Sequence, residues 1–171
     1  MKILLILIMI IASLFAKSKT ESAGDALALL LPATAFSLPF FERDQEGQMA
    51  FLKSYGTTMA TTMALKYTVR EKRPDSDEHD SFPSGHTASA FAGASFIHKR
   101  YGWRYALPAY LGAIYTGYSR VHVNRHHTQD VFAGAFIAVA SSWFFVSPKK
   151  GVELFPRFGE DKNGIGVRYS W

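Results

Sequence analysis

The sequence predicts an all-α protein, a compact bundle of five to six helices. Three observations predict this class: apolar segments of helical length recur along the chain, each is rich in alanine, glycine, serine and threonine, and charged residues collect between them. Small residues let helices pack closely. With 171 residues, 48% of them hydrophobic, the chain is long enough for one domain with its own core.

The N-terminus is typical of an export signal. Lys2 precedes an apolar run over residues 3–15, and Ala16 and a polar stretch follow it. Leu14 stands where a small residue would favour cleavage, so an uncleaved anchor is the alternative to a signal peptide. Either form of residues 1–20 would export the chain, to the periplasm or to the periplasmic face of the inner membrane.

Five helices are predicted after this segment, within a helical domain at residues 21–150. Four of the five apolar stretches are shorter than the roughly 20 residues that cross a bilayer, and the fifth, at residues 49–69, contains Lys53. If the helices crossed a membrane in turn, loops 70–80 and 120–130 would lie on one side and the basic loop 98–104 on the other. This arrangement fits a membrane bundle, because basic loops are usually cytoplasmic. Soluble and membrane-embedded bundles therefore both stay open. The predicted helices cover residues 26–41, 49–69, 84–97, 103–118 and 131–146.

The end of the chain has a different pattern. Apolar residues at positions 165, 167, 169 and 171 alternate with glycine, arginine and serine, which is the period of two of a β-strand. We expect residues 151–171 to form an ordered tail that packs on the helical domain.

Composition excludes several classes of site and partner. The chain has no cysteine, which excludes disulfides, thiolate nucleophiles and cysteine metal sites. The net charge is +5, but the basic residues are scattered, whereas nucleic-acid binding proteins usually carry a basic face or arm. A modest positive charge instead favours a phosphorylated substrate or an anionic lipid surface.

The first cluster of candidate site residues is Lys66 with Arg73. They are seven residues apart, so on a continuous helix they share a face. Pro74 disfavours helix at Arg73, and the helix should end near there with the guanidinium in a loop. Arginine binds phosphate oxygens as a bidentate fork and lysine as a mobile charge. The alternative is a basic helix end that only complements the helix dipole.

The second cluster is Pro83-Ser84-Gly85-His86, which we predict to begin a helix with Ser84 as its N-cap. The free amides of Gly85 and His86 would then form an anion site, and Gly85 lets a phosphate approach the backbone. The alternative is an ordinary capped helix with a surface histidine.

The third cluster joins Arg120, His126 and Asp130. If the last helix starts early, Asp130 lies one turn from His126 and can fix its tautomer, leaving the other nitrogen to act as nucleophile or base. The alternative is a helix-start carboxylate beside a solvent-exposed histidine. The same stretch could also be interpreted as a metal site, with ligands His122, His126, His127 and Asp130. This is disfavoured, because no zincin motif is present and three cations are expected nearby.

In this order, the three clusters resemble the tripartite signature of the type 2 phosphatidic acid phosphatase family, which includes bacterial non-specific acid phosphatases and vanadium haloperoxidases. The resemblance covers residues 66–130, with every signature position present at the family spacing. It implies the helical fold of that family and a phosphatase that works without a metal or other cofactor.

The resemblance and the residue chemistry together predict a phosphohistidine mechanism. His126, oriented by Asp130, is the predicted nucleophile, and His86 is the predicted general acid and later general base. The groups predicted to bind the phosphoryl oxygens and stabilise the transition state are Lys66, Arg73, Ser84, Gly85 and Arg120.

The expected substrates are phosphate monoesters or pyrophosphates. Soluble esters and lipid phosphates (phosphatidate, phosphatidylglycerol phosphate, polyprenyl pyrophosphate, lipid A) all fit, and the apolar helices favour lipids. Two alternatives are a non-catalytic phosphate- or phospholipid-binding membrane protein and a vanadate-dependent haloperoxidase.

Overall fold

The computed structural model describes residues 19–149 and, by their backbone alone, residues 151–157 and 164–170. The export signal or anchor predicted at residues 1–20 lies outside these ranges except for its last two residues. The elements are α1 (Lys19–Phe41), α2 (Gln45–Val69), α3 (Gly85–Tyr101), α4 (Trp103–His122), α5 (Thr128–Phe145), β1 (Gly151–Arg157) and β2 (Gly164–Ser170).

All five predicted helices are present, and the all-α prediction for the domain is confirmed. The structure moves three of the predicted starts by three residues or more, and one of them is that of α5, which begins at Thr128 rather than at residue 131. α1 begins at Lys19 rather than at residue 26, because a polar stretch that the apolar pattern does not mark continues the helix. α2 begins at Gln45, where the Asp44 carboxylate caps the helix by accepting the Gly47 amide at 2.9 Å.

Helix α3 lies at the centre of the bundle and packs against all four other helices. Its buried positions are mostly small residues, and His86 is its only exposed residue. Two close contacts between helices are possible only because a glycine lies at the crossing. A Cβ on Gly93 would lie 2.7 Å from the backbone of Leu31 in α1. A Cβ on Gly134 in α5 would lie 2.6 Å from the Ser84 carbonyl oxygen. The small residues in the sequence thus form the contacts that bring the helices together.

A buried ion pair fixes one end of the bundle. The Arg100 guanidinium donates to the Asp44 carboxylate at 2.7 Å and to the Ser147 carbonyl at 2.9 Å, and the Tyr101 hydroxyl donates to Asp44 at 3.0 Å. These bonds join the start of α2, the end of α3 and the segment after α5. The loops that carry the three candidate clusters lie at the opposite end.

Beyond the helices, β1 and β2 form an antiparallel hairpin, with Leu154 opposite Val167 and Val152 opposite Tyr169. The strand expected from the alternation after residue 164 is therefore present, and the preceding chain supplies its partner, which the all-α prediction did not include. Packing of this tail on the helical domain stays a prediction.

The outer faces of the bundle are apolar. Large hydrophobic side chains are exposed on the four helices that surround α3, among them Leu30 on α1, Leu52 on α2, Leu111 on α4 and Phe136 on α5. Among the described helices, α1 alone is both long and apolar enough to cross a membrane. Exposed apolar surface of this extent marks contact with lipid or with another protein.

The crossing of α3 and α5 predicts a difference between two Gly→Ala substitutions. Gly134→Ala places a methyl group against the Ser84 carbonyl, and we expect the free energy of unfolding to fall by about 1–3 kcal/mol from overpacking. Gly56→Ala in α2 is the matched control: its Cβ would meet nothing within 4 Å, so we expect no loss and a gain of up to about 1 kcal/mol from helix propensity. Thermal unfolding of the two variants measures this, and equal stabilities would contradict the assigned packing.

Candidate active site

A cleft of about 960 Å³ opens at the end of the bundle where α2 ends and α3 and α5 begin. It brings together five of the eight predicted site residues: Lys66, Arg73, Gly85, His86 and His126. The other three, Ser84, Arg120 and Asp130, are buried behind its wall, at 0%, 2% and 0% exposure.

The cleft forms because the first turns of α3 and α5 meet. The Ser84 amide, immediately before α3, donates to the Asp130 carbonyl in the first turn of α5 at 2.9 Å. His86 and His126 are thereby brought to the same cleft from distant parts of the chain. The positive ends of both helix dipoles also lie beside it, which favours an anion there.

His126 is held from behind by two oxygens. Its Nδ1 lies 3.5 Å from Oδ2 of Asp130 and 3.4 Å from the Ser81 hydroxyl, so a proton on Nδ1 is directed to these groups. Oδ2 of Asp130 is itself fixed, because it accepts from the Ser81 hydroxyl at 2.5 Å and from the His127 amide at 2.9 Å. Nε2 is then the nitrogen that can react in the cleft.

The His126–Asp130 distance is longer than that of an ordinary hydrogen bond. The reason is that α5 begins at Thr128, so His126 precedes the helix and the pair is not spaced by a helical turn as the sequence suggested. Ser81 fills the space between them, and its hydroxyl contacts both side chains.

The environment of His126 keeps its imidazole neutral. Burial, together with the positive charges of Arg73 and Lys66, lowers the pKa of His126 to about 4, although the Asp130 carboxylate opposes this shift. Near neutral pH the ring therefore carries one proton and has one nitrogen lone pair, as a nucleophile or a base requires.

Arg73 and Lys66 reach the cleft from different elements. α2 ends at Val69, and Arg70 follows in the left-handed region with φ 50°. Arg73 therefore lies in the loop, as Pro74 indicated, and shares no helix face with Lys66. Two backbone bonds close that loop, from the Arg73 amide to the Glu78 carbonyl and from the Ser81 amide to the Glu71 carbonyl, each at 2.9 Å.

Both cations already contact a carboxylate. The Arg73 fork donates to the two oxygens of Asp80 at 2.6 and 3.1 Å, and the Lys66 ammonium contacts the Asp80 carbonyl and lies 4.0 Å from its carboxylate. The bond from Arg73 holds the pKa of Asp80 below its ordinary value. This fork-to-carboxylate arrangement is the one that arginine makes with phosphate.

Ser84 stands at the predicted N-cap position, but its side chain does not cap the helix. Its hydroxyl accepts from the Thr87 hydroxyl at 3.0 Å and is buried. The helix start thus offers the cleft Gly85 and His86, while the Ser84 hydroxyl points into the packing behind them.

Arg120 is enclosed by the first turns of α1. It donates to the Asp25 carboxylate and to the Glu21 carbonyl, both at 2.8 Å, and to the Ser119 hydroxyl at 3.1 Å. The Asp25 oxygen that accepts from Arg120 also lies 3.1 Å from Nε2 of His86. Asp25 therefore separates Arg120 from the cleft, and sequence reasoning missed it because it precedes the apolar run of α1.

The four residues weighed as metal ligands are not assembled. His122 contacts the Tyr118 hydroxyl at 3.3 Å, and His127 contacts the Lys72 carbonyl at 3.4 Å. Within residues 19–149, no group of three or more histidine, aspartate or glutamate side chains has the geometry to hold a metal ion.

One side of the cleft is apolar. Helices α1 and α2 supply this wall, which runs from Lys66 and Arg73 along the faces of both helices. Its residues are Ala28, Leu29, Tyr55, Met59, Met63 and Tyr67.

The chain is similar in sequence to proteins of a known family. Residues 47–150 match the family model of the PAP2 superfamily. The chain is 36% identical over 128 residues, 68% of its length, to a protein of Helicobacter pylori named lipid A 4′-phosphatase, and 40% identical over 98 residues, 54% of its length, to a lipid A 1-phosphatase of Porphyromonas gingivalis. It spans 64% of the first relative and 22% of the second.

Two solved structures share the fold. They are LpxE of Aquifex aeolicus, with a TM-score of 0.56 and 22% identity, and a transmembrane PAP2-type phosphatidylglycerolphosphate phosphatase of Bacillus subtilis, with a TM-score of 0.53 and 24% identity. The matches cover 70% of this chain in each case, and 83% and 65% of the two structures.

The lowered pKa of His126 predicts how stability depends on pH. The unfolded chain protonates this histidine below about pH 6.5 and the folded chain only below about pH 4, so acidification favours unfolding. Between about pH 7 and pH 5, we expect the wild type to lose about 2 kcal/mol more than His126→Asn, which cannot take up the proton. Urea unfolding at the two pH values measures this. His127→Asn, at the exposed neighbour, is the control and should behave like the wild type.

Proposed function

Because the chain belongs to the PAP2 superfamily, we propose that it is a phosphatase that hydrolyses a lipid phosphate through a phosphohistidine on His126. The observation that carries the proposal is the neutral, nearly buried His126, held by Ser81 and Asp130 in a cleft that also contains Arg73 and Lys66. A nucleophile is therefore held next to groups that bind a phosphoryl group.

In the first step, the substrate phosphate replaces the Asp80 carboxylate on Arg73 and Lys66. The amides at the start of α3 add donors to the phosphoryl oxygens. Nε2 of His126 attacks phosphorus, the bond from phosphorus to the leaving oxygen breaks, and His86 gives its proton to that oxygen. The cations stabilise the charge that develops on the equatorial oxygens.

In the second step, water attacks the phosphohistidine. Now neutral, His86 accepts a proton from this water as the nitrogen–phosphorus bond breaks, and inorganic phosphate is released. His126 recovers its starting form, with its Nδ1 proton still directed to Ser81 and Asp130.

Three observations support a lipid substrate. The apolar wall from α1 and α2 can take an acyl chain beside the phosphate-binding groups. The outer faces of the bundle are apolar, as they are in proteins that lie in a bilayer. The relatives named lipid A phosphatases act on phosphorylated lipids by their names. We propose a membrane-embedded enzyme whose cleft, at the end where α1 begins, faces the periplasm.

The mechanism predicts a phosphoenzyme. During turnover in the presence of a chelator, a quench in base should trap protein-bound phosphate that is released by acid. His126→Asn should abolish the label and lower kcat by more than about 10³-fold, as removal of a covalent nucleophile does in other hydrolases.

His127→Asn is the matched control, since His127 is exposed and does not line the cleft. It should retain both label and activity. An active His126→Asn enzyme without any labelled intermediate would contradict the mechanism.

The apolar wall predicts a split between substrates. Met63→Asn should lower kcat/KM for a lipid phosphate by about 10- to 100-fold, the equivalent of removing one buried methionine contact, and leave a soluble aryl phosphate unaffected. Met49 is an exposed residue at the other end of α2, and Met49→Asn is the control. It should leave kcat/KM unchanged for both substrates. Equal effects of Met63→Asn on both substrates would contradict the acyl-chain site.

A further inference from the structure

The carboxylate of Asp25 joins the cleft histidine to a buried arginine. One oxygen, Oδ1, lies 2.8 Å from Nη1 of Arg120 and 3.1 Å from Nε2 of His86. The side chain of Arg120 is 3% exposed, that of Asp25 is 18% exposed and that of His86 is 47% exposed. The carboxylate thus contacts the one cleft residue that the mechanism requires to exchange protons.

Asp25 is held in place by bonds to its surroundings. The Arg120 guanidinium also donates to the Glu21 carbonyl, one turn earlier on α1, and the Glu21 carboxylate accepts from Arg125 at 3.0 Å. Gly24 permits this approach, because a Cβ there would lie 2.0 Å from the Ser119 hydroxyl. The start of α1 is therefore fastened to α4 and to the loop after it, with the Asp25 carboxylate directed at His86.

The charges around His86 explain what this contact can do. Lys66 of α2, Arg73 of the following loop and Arg120 of α4 are positive and oppose protonation of His86, and His126 is a neutral neighbour in the same cleft. Asp80 compensates Arg73 and Lys66 only until a phosphate replaces it. Asp25 is in direct contact with His86, and a carboxylate in hydrogen-bond contact favours the charged imidazole.

We propose that Asp25 is a positioning residue that orients His86 and keeps it protonated as the general acid, a role that rests on the proposed function. Oδ1 of Asp25 accepts the Nε2 proton of His86. The second ring nitrogen gives its proton to the leaving oxygen as the bond from phosphorus to that oxygen breaks, and it later takes a proton from the attacking water. Asp25 keeps its charge throughout, as does the carboxylate that orients histidine in a serine protease.

This role extends the site beyond the part of the chain that defines the family match. The match begins at residue 47, whereas Asp25 lies in α1. The assignment follows from the contacts of α1 with α3 and α4 alone.

The test compares two leaving groups in Asp25→Asn, which keeps the shape of the side chain and removes its charge. The comparison uses kcat/KM, which reports formation of the phosphohistidine and excludes its hydrolysis, the step that both substrates share. With 4-nitrophenyl phosphate, whose leaving group needs little protonation, we expect kcat/KM to change less than about threefold. With phenyl phosphate, which needs an acid, kcat/KM should fall by about 10- to 100-fold, part of the 10²- to 10⁴-fold that acid catalysis contributes. In the pH profile of kcat/KM for phenyl phosphate, the fall of activity at high pH should begin at a lower pH in Asp25→Asn than in the wild type.

Asp75→Asn is the matched control, because Asp75 is also a carboxylate paired with an arginine at this end of the bundle, at 2.9 Å from Arg125. Asp75→Asn should leave the rates with both substrates unchanged. An equal loss on both substrates in Asp25→Asn, or an unmoved basic limb, would assign Asp25 a structural role and overturn the inference.

Asp25→Glu keeps the charge and provides a second variant if Asp25→Asn does not fold. It should retain the wild-type basic limb while slowing phenyl phosphate more than 4-nitrophenyl phosphate, and equal slowing would overturn the inference. A wild-type chain that releases no phosphate from any substrate would remove the proposed function and this inference with it. An active wild type with an unaffected Asp25→Asn would remove the inference alone.

Discussion

The contact between the first turns of α3 and α5 is the constraint on which the site depends. The Ser84 amide bonds to the Asp130 carbonyl, and the absence of a side chain on Gly134 lets the two helices approach to that distance. His86 and His126 come from distant parts of the chain and reach one cleft because of this junction. It also aligns two helix N-termini, so that the same contact that positions the histidines supplies a favourable potential for an anion.

A second constraint is charge compensation. The three cations predicted to bind phosphate would repel one another at the end of a bundle if each were unpaired. In the structure Asp80 contacts Arg73 and Lys66, and Asp25 contacts Arg120. The folded chain thus supplies carboxylates of its own. In the proposed mechanism, a phosphate replaces the Asp80 carboxylate on Arg73 and Lys66, so that one anion is exchanged for another. The cost of assembling the positive charges is offset during folding, before any substrate arrives.

Local patterns in the sequence were enough to predict the helices, and together with the resemblance to a known family they predicted five residues of the cleft. Apolar runs mark helix interiors, and the spacing of His126 and Asp130 or the order Ser84-Gly85-His86 follows from the chain itself. The same patterns do not predict contacts between distant segments of the chain. Ser81 lies in a polar loop and Asp25 lies before an apolar run, and nothing in the local sequence distinguishes either from its polar neighbours. Ser81 contacts residues at the start of α5, and Asp25 contacts residues of α3 and α4, only in the folded chain. The end of α2 at Val69 was predicted, because the apolar pattern stops there, whereas its start was not, because the Asp44 cap lies before that pattern.

The burial of α3 has a consequence for how the protein tolerates change. Most of its buried positions are alanine, glycine and serine, which have few or no rotamers through which to adapt. A larger residue on the inner faces must therefore shift whole helices, and with them the separation of the two histidines. The outer faces carry long, flexible side chains, and replacement of one apolar residue by another there leaves the backbone where it is. The bundle can diversify on its exterior, to suit different surroundings, while its interior admits almost no variation in volume.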